Sequence, residues 1–235
     1  MPFRVEILQA TPNPQRLIYL ALHNDYSEDF TPDTSLSEAD CGRIAVNRLL
    51  AGGRGHFGPC EHPSLSVLLQ VDHNTAMQLR THRVGVSFDL QSMRYTSERI
   101  LKVARGELEV REVFYLRPAG DYTNRQGKSY AWSDRDNDTL EDLIRSCCRR
   151  YQTMIFNGAA EEHARMVLPT CYFQNVALTG NLRSWFHLLD VRLKADAQLE
   201  IRCAMDLVAQ RIADWAPEIY SWYSRSRQGK ALLAP

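Results

Sequence analysis

Two stretches in the C-terminal half carry apolar residues at helical spacing, and they limit what this chain can fold into. From Thr139 onward the stripe is Leu140, Leu143, Ile144, Cys147, Tyr151 and Ile155; in "AQLEIRCAMDLVAQRIADWAP" it is Ile201, Met205, Val208, Ile212 and Trp215. A helix that is apolar on one side must bury that side against something. Candidate strands are available: "FRVEILQ" alternates, "SLSVLLQV" is rich in apolar residues, and "LEVREVFYLRP" returns to a strand pattern. Further helices are predicted over "QRLIYLALHND", "DHNTAMQLRTHR", "AEEHARMVLP" and "NLRSWFHLLDVRL". Another, "EADCGRIAVNRLLAGG", is opened by a capping-box pair, Ser37 and Asp40, and closed at Gly52–Gly53. The polar run "AGDYTNRQGKSYAWSDRDND" reads as an exposed loop, with Thr139 opening the long helix after it. Helices and strands mix without regular βαβ alternation. The expected class is α+β, with mixed helices around a central, largely antiparallel sheet, in a single domain over 1–235. The 235 residues suffice for a sizeable core.

Charge narrows the function classes. The 28 basic and 28 acidic residues balance, so bulk electrostatics do not point to nucleic acid or an anionic membrane. Of the basic residues only Lys102, Lys128, Lys194 and Lys230 are lysines, leaving 24 arginines. Arginine grips phosphate and carboxylate with a planar fork, although a compositional bias of the genome produces the same excess. The six cysteines contain no C-x-x-C pair, so neither a zinc site nor a redox dithiol is expected. The start "MPFRVEILQATPNPQ" has no secretory apolar region, and no apolar run is long enough to span a bilayer. The expectation is a cytoplasmic protein with reduced thiols. No G-x-G-x-x-G fingerprint or P-loop is present, so a nucleotide cofactor would be held another way.

The segment "LRTHRVGVSFDLQSMRYTSER" gathers Arg80, Arg83, Arg94 and Arg99. On a helix, Gln78, Thr81 and His82 would share one face. Val84, Gly85 and Val86 should end that helix, and a polar loop follows. There Ser92 offers a hydroxyl, Gln91 an amide and Arg94 a fork, a set suited to a phosphomonoester attached to a base with donor and acceptor edges. A solvated helix bearing surface arginines accounts for the same pattern.

"THR", eight residues, then "SMRY" resembles the signature of the flavin-dependent thymidylate synthases: Arg-His-Arg, seven residues, Ser, one residue, Arg-Tyr. Thr81 stands for the first arginine, and the gap is one residue longer. "GHFGPCEHPSLSV" is similar to the family's upstream stretch. "ARMVLP" and "NLRSWFHLLDVRLKADAQLEIR" are similar to its C-terminal block, with Asp196 where many members have His.

The resemblance implies that dUMP is methylated to dTMP. Methylenetetrahydrofolate would supply the carbon, and FAD reduced by NADPH the hydride. It places His56, Gly58, Glu61, Thr81, His82, Arg83, Gln91, Asn181, Arg183 and His187 around FAD. It places Gln78, Gln91, Ser92, Met93, Arg94, Arg165 and Arg192 around dUMP. Arg192 would meet the uracil and Ser92 the phosphate, and these two are the catalytic candidates. Asp89 competes with Gln91 for its role because of the longer gap. A homotetramer with shared active sites is implied as well, with no metal. Cys60 reads as packing rather than a nucleophile. A non-catalytic nucleotide-binding protein that retains the dUMP pocket is the alternative, and so is a structural protein whose arginines pair across subunits.

Overall fold

A computed structural model describes residues 2–30, 35–124 and 126–230. In chain order the elements are β1 (Arg4–Ala10), α1 (Pro14–Tyr26), α2 (Glu38–Ala45), β2 (Ser64–Asp72), α3 (His73–Leu79), β3 (Val86–Leu90), α4 (Glu98–Arg105) and α5 (Val110–Val113). They continue with β4 (Gly120–Thr123), β5 (Ser129–Trp132), α6 (Asp134–Phe156), α7 (Glu161–Ala164), β6 (Phe173–Asn181), α8 (Leu182–Arg192), α9 (Leu199–Trp215) and α10 (Pro217–Ser226). The class is α+β, as expected. The main sheet has the order β1-β2-β6-β3, and β4 and β5 form a separate hairpin. Ser66 meets Thr179 at 2.8 Å and Gln70 meets Asn175 at 3.2 Å, so β2 and β6 step in opposite directions. Among the described residues no helix is long and apolar enough to cross a membrane.

The chain forms two compact units. The first contains Gln70–Gln78 and Leu90–Val176. Its core joins Ile100 and Val103 of α4, Val110, Val113 and Phe114, Ile144, Cys148 and Tyr151 of α6, and Leu168 and Tyr172. The second unit contains Arg4–Leu69, Leu79–Asp89 and the segment from Ala177 onward. There the α9 stripe is inside: Ile201, Met205, Val208 and Ile212 are fully buried, each worth roughly 1.5–3 kcal/mol relative to exposure. Trp185 and Phe186 are core residues. The Trp185 indole N–H donates to the Leu65 carbonyl at 3.1 Å, and the Phe186 ring stacks on Tyr223 at 4.6 Å.

Several local expectations are corrected. "LEVREVFYLRP" is not a strand. Glu109 and Glu112 form a capping box that starts the short helix α5, and Val110, Val113 and Phe114 lie at helical spacing into the core. The polar excursion is not loop throughout. It contains the β4–β5 hairpin, where the Asn124 side-chain oxygen accepts from the backbone N–H groups of Gln126 and Lys128, each at 2.9 Å. α6 begins at Asp134 rather than Thr139, because the Ser133 hydroxyl accepts from the Asp136 N–H and caps the helix. On α6, Leu143 of the predicted stripe is exposed. The helix predicted over 38–53 is α-helical only to Ala45 and continues as a π-helical turn, Val46–Leu50, and a 3-10 turn. The Ser37 cap itself is present, accepting from the Asp40 N–H at 3.1 Å. α3 stops at Leu79, so Gln78 stands on its last turn while Thr81 and His82 follow it; the three share no helical face.

Candidate active site

The turn after α3 and the helix α8 build one cluster within the second unit. Asn181 caps α8, its side-chain oxygen accepting from the Ser184 N–H at 2.9 Å. Four residues apart on that helix, Arg183 and His187 face the same way, as their spacing predicts. Both line a cleft of about 470 Å³ together with Glu61, Val84, Gly85, Asn181 and Ser184. Arg183 Nη1 donates to Glu61 at 2.5 Å, an ion pair with both side chains well exposed. The backbone at Gly85 has φ +69° and passes close to Ser184; a Cβ there would run into the Ser184 hydroxyl. Only glycine brings the turn this near the helix.

Beside the cleft, Arg192 at the end of α8 reaches back to the turn. Its Nε donates to His82 Nε2 at 2.7 Å, and its Nη2 donates to the Thr81 hydroxyl at 3.2 Å. The rings of His82 and His187 meet edge to face at 5.9 Å. Accepting from Arg192 requires a lone pair on Nε2, so His82 is neutral with its proton on Nδ1. Burial, reinforced by the charges of Arg192 and His187, pushes the His82 imidazole down to about 4. Thr81 replaces the expected arginine yet keeps a polar contact, with the distant Arg192 as its partner.

His56 does not join this group through any contact the structure gives. Its ring lies 3.7 Å from Asp25 and edge-on to Tyr26, while Gly58 opens a short 3-10 turn beside it. Arg83 is exposed, with no ion pair or hydrogen bond to its side chain among the described residues. Cys60 is fully buried, and burial pushes its thiol up to about 12. At neutral pH it stays protonated, which makes it a packing residue and a poor nucleophile.

The residues expected around a nucleotide phosphate lie in the first unit. Ser92 opens a tight turn: its hydroxyl accepts from the Arg94 N–H at 3.3 Å, and its carbonyl accepts from the Tyr95 N–H at 3.2 Å. Within that turn Met93 points inward and is buried, while Arg94 points out and pairs with Glu162 at 3.3 Å. Arg165 is exposed, and Gln78 is half-buried at the end of α3. Gln91 serves as a clamp. Its side-chain oxygen accepts from the Asn175 N–H at 3.2 Å, and its carbonyl accepts from Gln174 Nε2 at 2.9 Å. Gln174 Oε1 in turn receives His73 Nδ1 at 2.5 Å, so His73 anchors the turn from behind. Only the Gln91 amide N–H group is left for a ligand.

Ser184, Glu162 and Gln174 were missed by sequence reasoning. Gly85 between two valines is a local signal for the tight turn against Ser184. The others are brought in from far along the chain, and no spacing rule reaches them.

The cleft lined by Asn181, Arg183, His187 and Glu61 fits a polar heterocycle with carbonyl and amide edges, such as a flavin ring. It presents amide and guanidinium donors and a carboxylate acceptor against the glycine-thinned backbone at Gly85. Residues 6–218 match the family described as thymidylate synthase complementing protein. The chain is 35% identical to the flavin-dependent thymidylate synthase of Halobacterium salinarum, with 99% of this chain and 100% of the relative covered. It is 33% identical to that of Haloarcula marismortui, covering 98% and 99%. The fold resembles the UMP/dUMP methylase PolB from Streptomyces cacaoi solved with 5-Br UMP, at TM-score 0.73 and 21% identity over 99% of this chain and 96% of the other. Together the family match and the near-complete alignment to these relatives establish that the chain belongs to the flavin-dependent thymidylate synthase family.

Proposed function

We propose that this enzyme converts dUMP to dTMP with methylenetetrahydrofolate as carbon donor, NADPH as reductant and FAD as hydride carrier, and that it works as a cytoplasmic homotetramer. The family match extends through both compact units, which supports a single functional domain over 1–235. When bound, FAD supplies the hydride chemistry; the chain's own residues bind, orient and polarise.

The observation that carries the reading is the Arg192–His82–Thr81 arrangement. A neutral His82 fixes one edge of a half-buried guanidinium without cancelling its charge. Arg192 is thereby preorganised to stabilise negative charge on a uracil carbonyl as the ring is activated. Asn181, Arg183, His187 and Glu61 would hold the flavin from the cleft, with His56, Gly58, Thr81, His82, Arg83 and Gln91 also bordering it. Ser92, the Met93 backbone, Arg94, Arg165, Gln78 and the Gln91 amide would hold dUMP. No enzyme nucleophile is required, in keeping with the buried Cys60 thiol.

The test is a purified protein with a flavin spectrum that bleaches on NADPH addition and forms dTMP only when dUMP and methylenetetrahydrofolate are both present. A colourless protein that cannot be reconstituted with FAD, or a flavoprotein that makes no dTMP under these conditions, refutes it.

A further inference from the structure

In the first unit Arg99 differs from its neighbours. Arg94 pairs with Glu162, Arg105 with Glu98 and Glu107, Arg111 with Glu141, and Arg145 with Glu109. Arg99, on the first turn of α4, pairs with none of the described carboxylates. Its Nε is buried without a hydrogen-bond partner, and Nη2 has only the Met93 sulfur, at 3.3 Å. A thioether is a weak acceptor, so the half-buried guanidinium gains little in return for the hydration its Nε gives up. Burial accordingly lowers its pKa, and among the described groups only the Tyr172 phenol works against that shift. Even a half-buried charge without a carboxylate partner is a cost that the fold retains. Met93 is the centre of the turn whose outer residues are Ser92 and Arg94, so Arg99 lies directly behind that turn.

We propose that Arg99 is a further anion-binding residue of this turn, left without a carboxylate among the described residues so that a phosphomonoester seated at Ser92–Arg94 becomes its counter-ion. The inference rests on the dUMP reading for the identity of the phosphomonoester, while the chemistry requires only a phosphate.

The experiment compares flavin-loaded wild type with Arg99→Met, which keeps length and apolar contact but removes charge. Three ligands are titrated: dUMP, deoxyuridine and inorganic phosphate. The melting temperature of the nucleotide-free protein is also measured. The expected result is a loss of dUMP affinity of about ten- to a hundredfold, the scale of a charge-assisted hydrogen bond. Deoxyuridine affinity should be unchanged and the nucleotide-free melting temperature equal or higher. A purely structural arginine would give the reverse: a lower melting temperature and equal losses for dUMP and deoxyuridine. That result, or dUMP affinity within twofold of wild type, overturns the proposal. A change of oligomeric state with phosphate affinity intact also overturns it, by assigning the counter-ion to a second subunit. If Arg99→Met does not fold, Arg99→Lys decides on the same titrations: an intermediate loss specific to dUMP supports the proposal, and no loss overturns it. If wild type binds inorganic phosphate but not dUMP, the thymidylate synthase reading fails, and the Arg99 inference is then decided by phosphate affinity of the variant.

Discussion

Acidification should remove a defined part of the protein's stability through His82. The imidazole ordinarily titrates at 6.5 and is held down to about 4, first by burial and then by Arg192 and His187. Below 6.5 the unfolded chain takes up a proton that the folded chain refuses until about 4. The contribution is therefore intact above pH 6.5 and lost as pH falls toward 4. At about 1.36 kcal/mol per pH unit the gap corresponds to at most about 3.4 kcal/mol. His82 is only half-buried, so solvent screening brings the expected effect to about 1–2 kcal/mol. Urea unfolding of wild type and His82→Gln between pH 7.5 and 4 isolates it. The stability difference between the two should shrink by that amount as pH falls. The His82 ring resonance should titrate near 4, and Arg192→Met should raise that value only partway, because burial is the leading cause. Parallel stability curves, or a His82 that titrates at 6.5, would refute both the neutral imidazole and its role in holding Arg192.

Arg192→Ala should lower dTMP formation by on the order of 100-fold or more while flavin remains bound, as read by single-turnover assay and absorbance; near-normal turnover removes Arg192 from the uracil. Arg94→Lys should weaken dUMP binding although charge is kept, because a lysine cannot reproduce the fork; unchanged affinity by titration would put Arg94 outside the pocket. Cys60→Ala should keep most of its activity, and mass spectrometry of enzyme quenched during turnover should find no nucleotide attached at Cys60 or Ser92. Gly85→Ala should cost about 1–3 kcal/mol of stability, from the left-handed backbone and the contact with Ser184, and should weaken flavin retention; unaltered unfolding and unaltered flavin content would show that the turn does not need glycine.

The α9 stripe, the Ser37 cap and the shared face of Arg183 and His187 were legible because each depends on residues within one or two helical turns. Spacing and capping chemistry suffice at that range. β6 escaped the same reading because its buried face is Gln174, Val176, Leu178 and Gly180, which breaks the apolar alternation that marks a strand. Its polar members are tolerated inside because they have partners elsewhere: Gln174 bonds His73 and Gln91. Residues 108–118 combine strand-forming residues with helical placement of Val110, Val113 and Phe114, and the Glu109–Glu112 cap decides for the helix. For the site, motif order identified the family and named Arg192, His82 and Thr81, but as separate contacts to ligands. That Arg192 bonds both, across 110 residues to His82 and 111 to Thr81, follows only from the packing of α8 against the turn after α3. The same holds for Arg99: that no carboxylate among the described residues pairs with it is invisible in a chain with 28 acidic residues, because which carboxylates reach which arginines is settled by tertiary geometry alone.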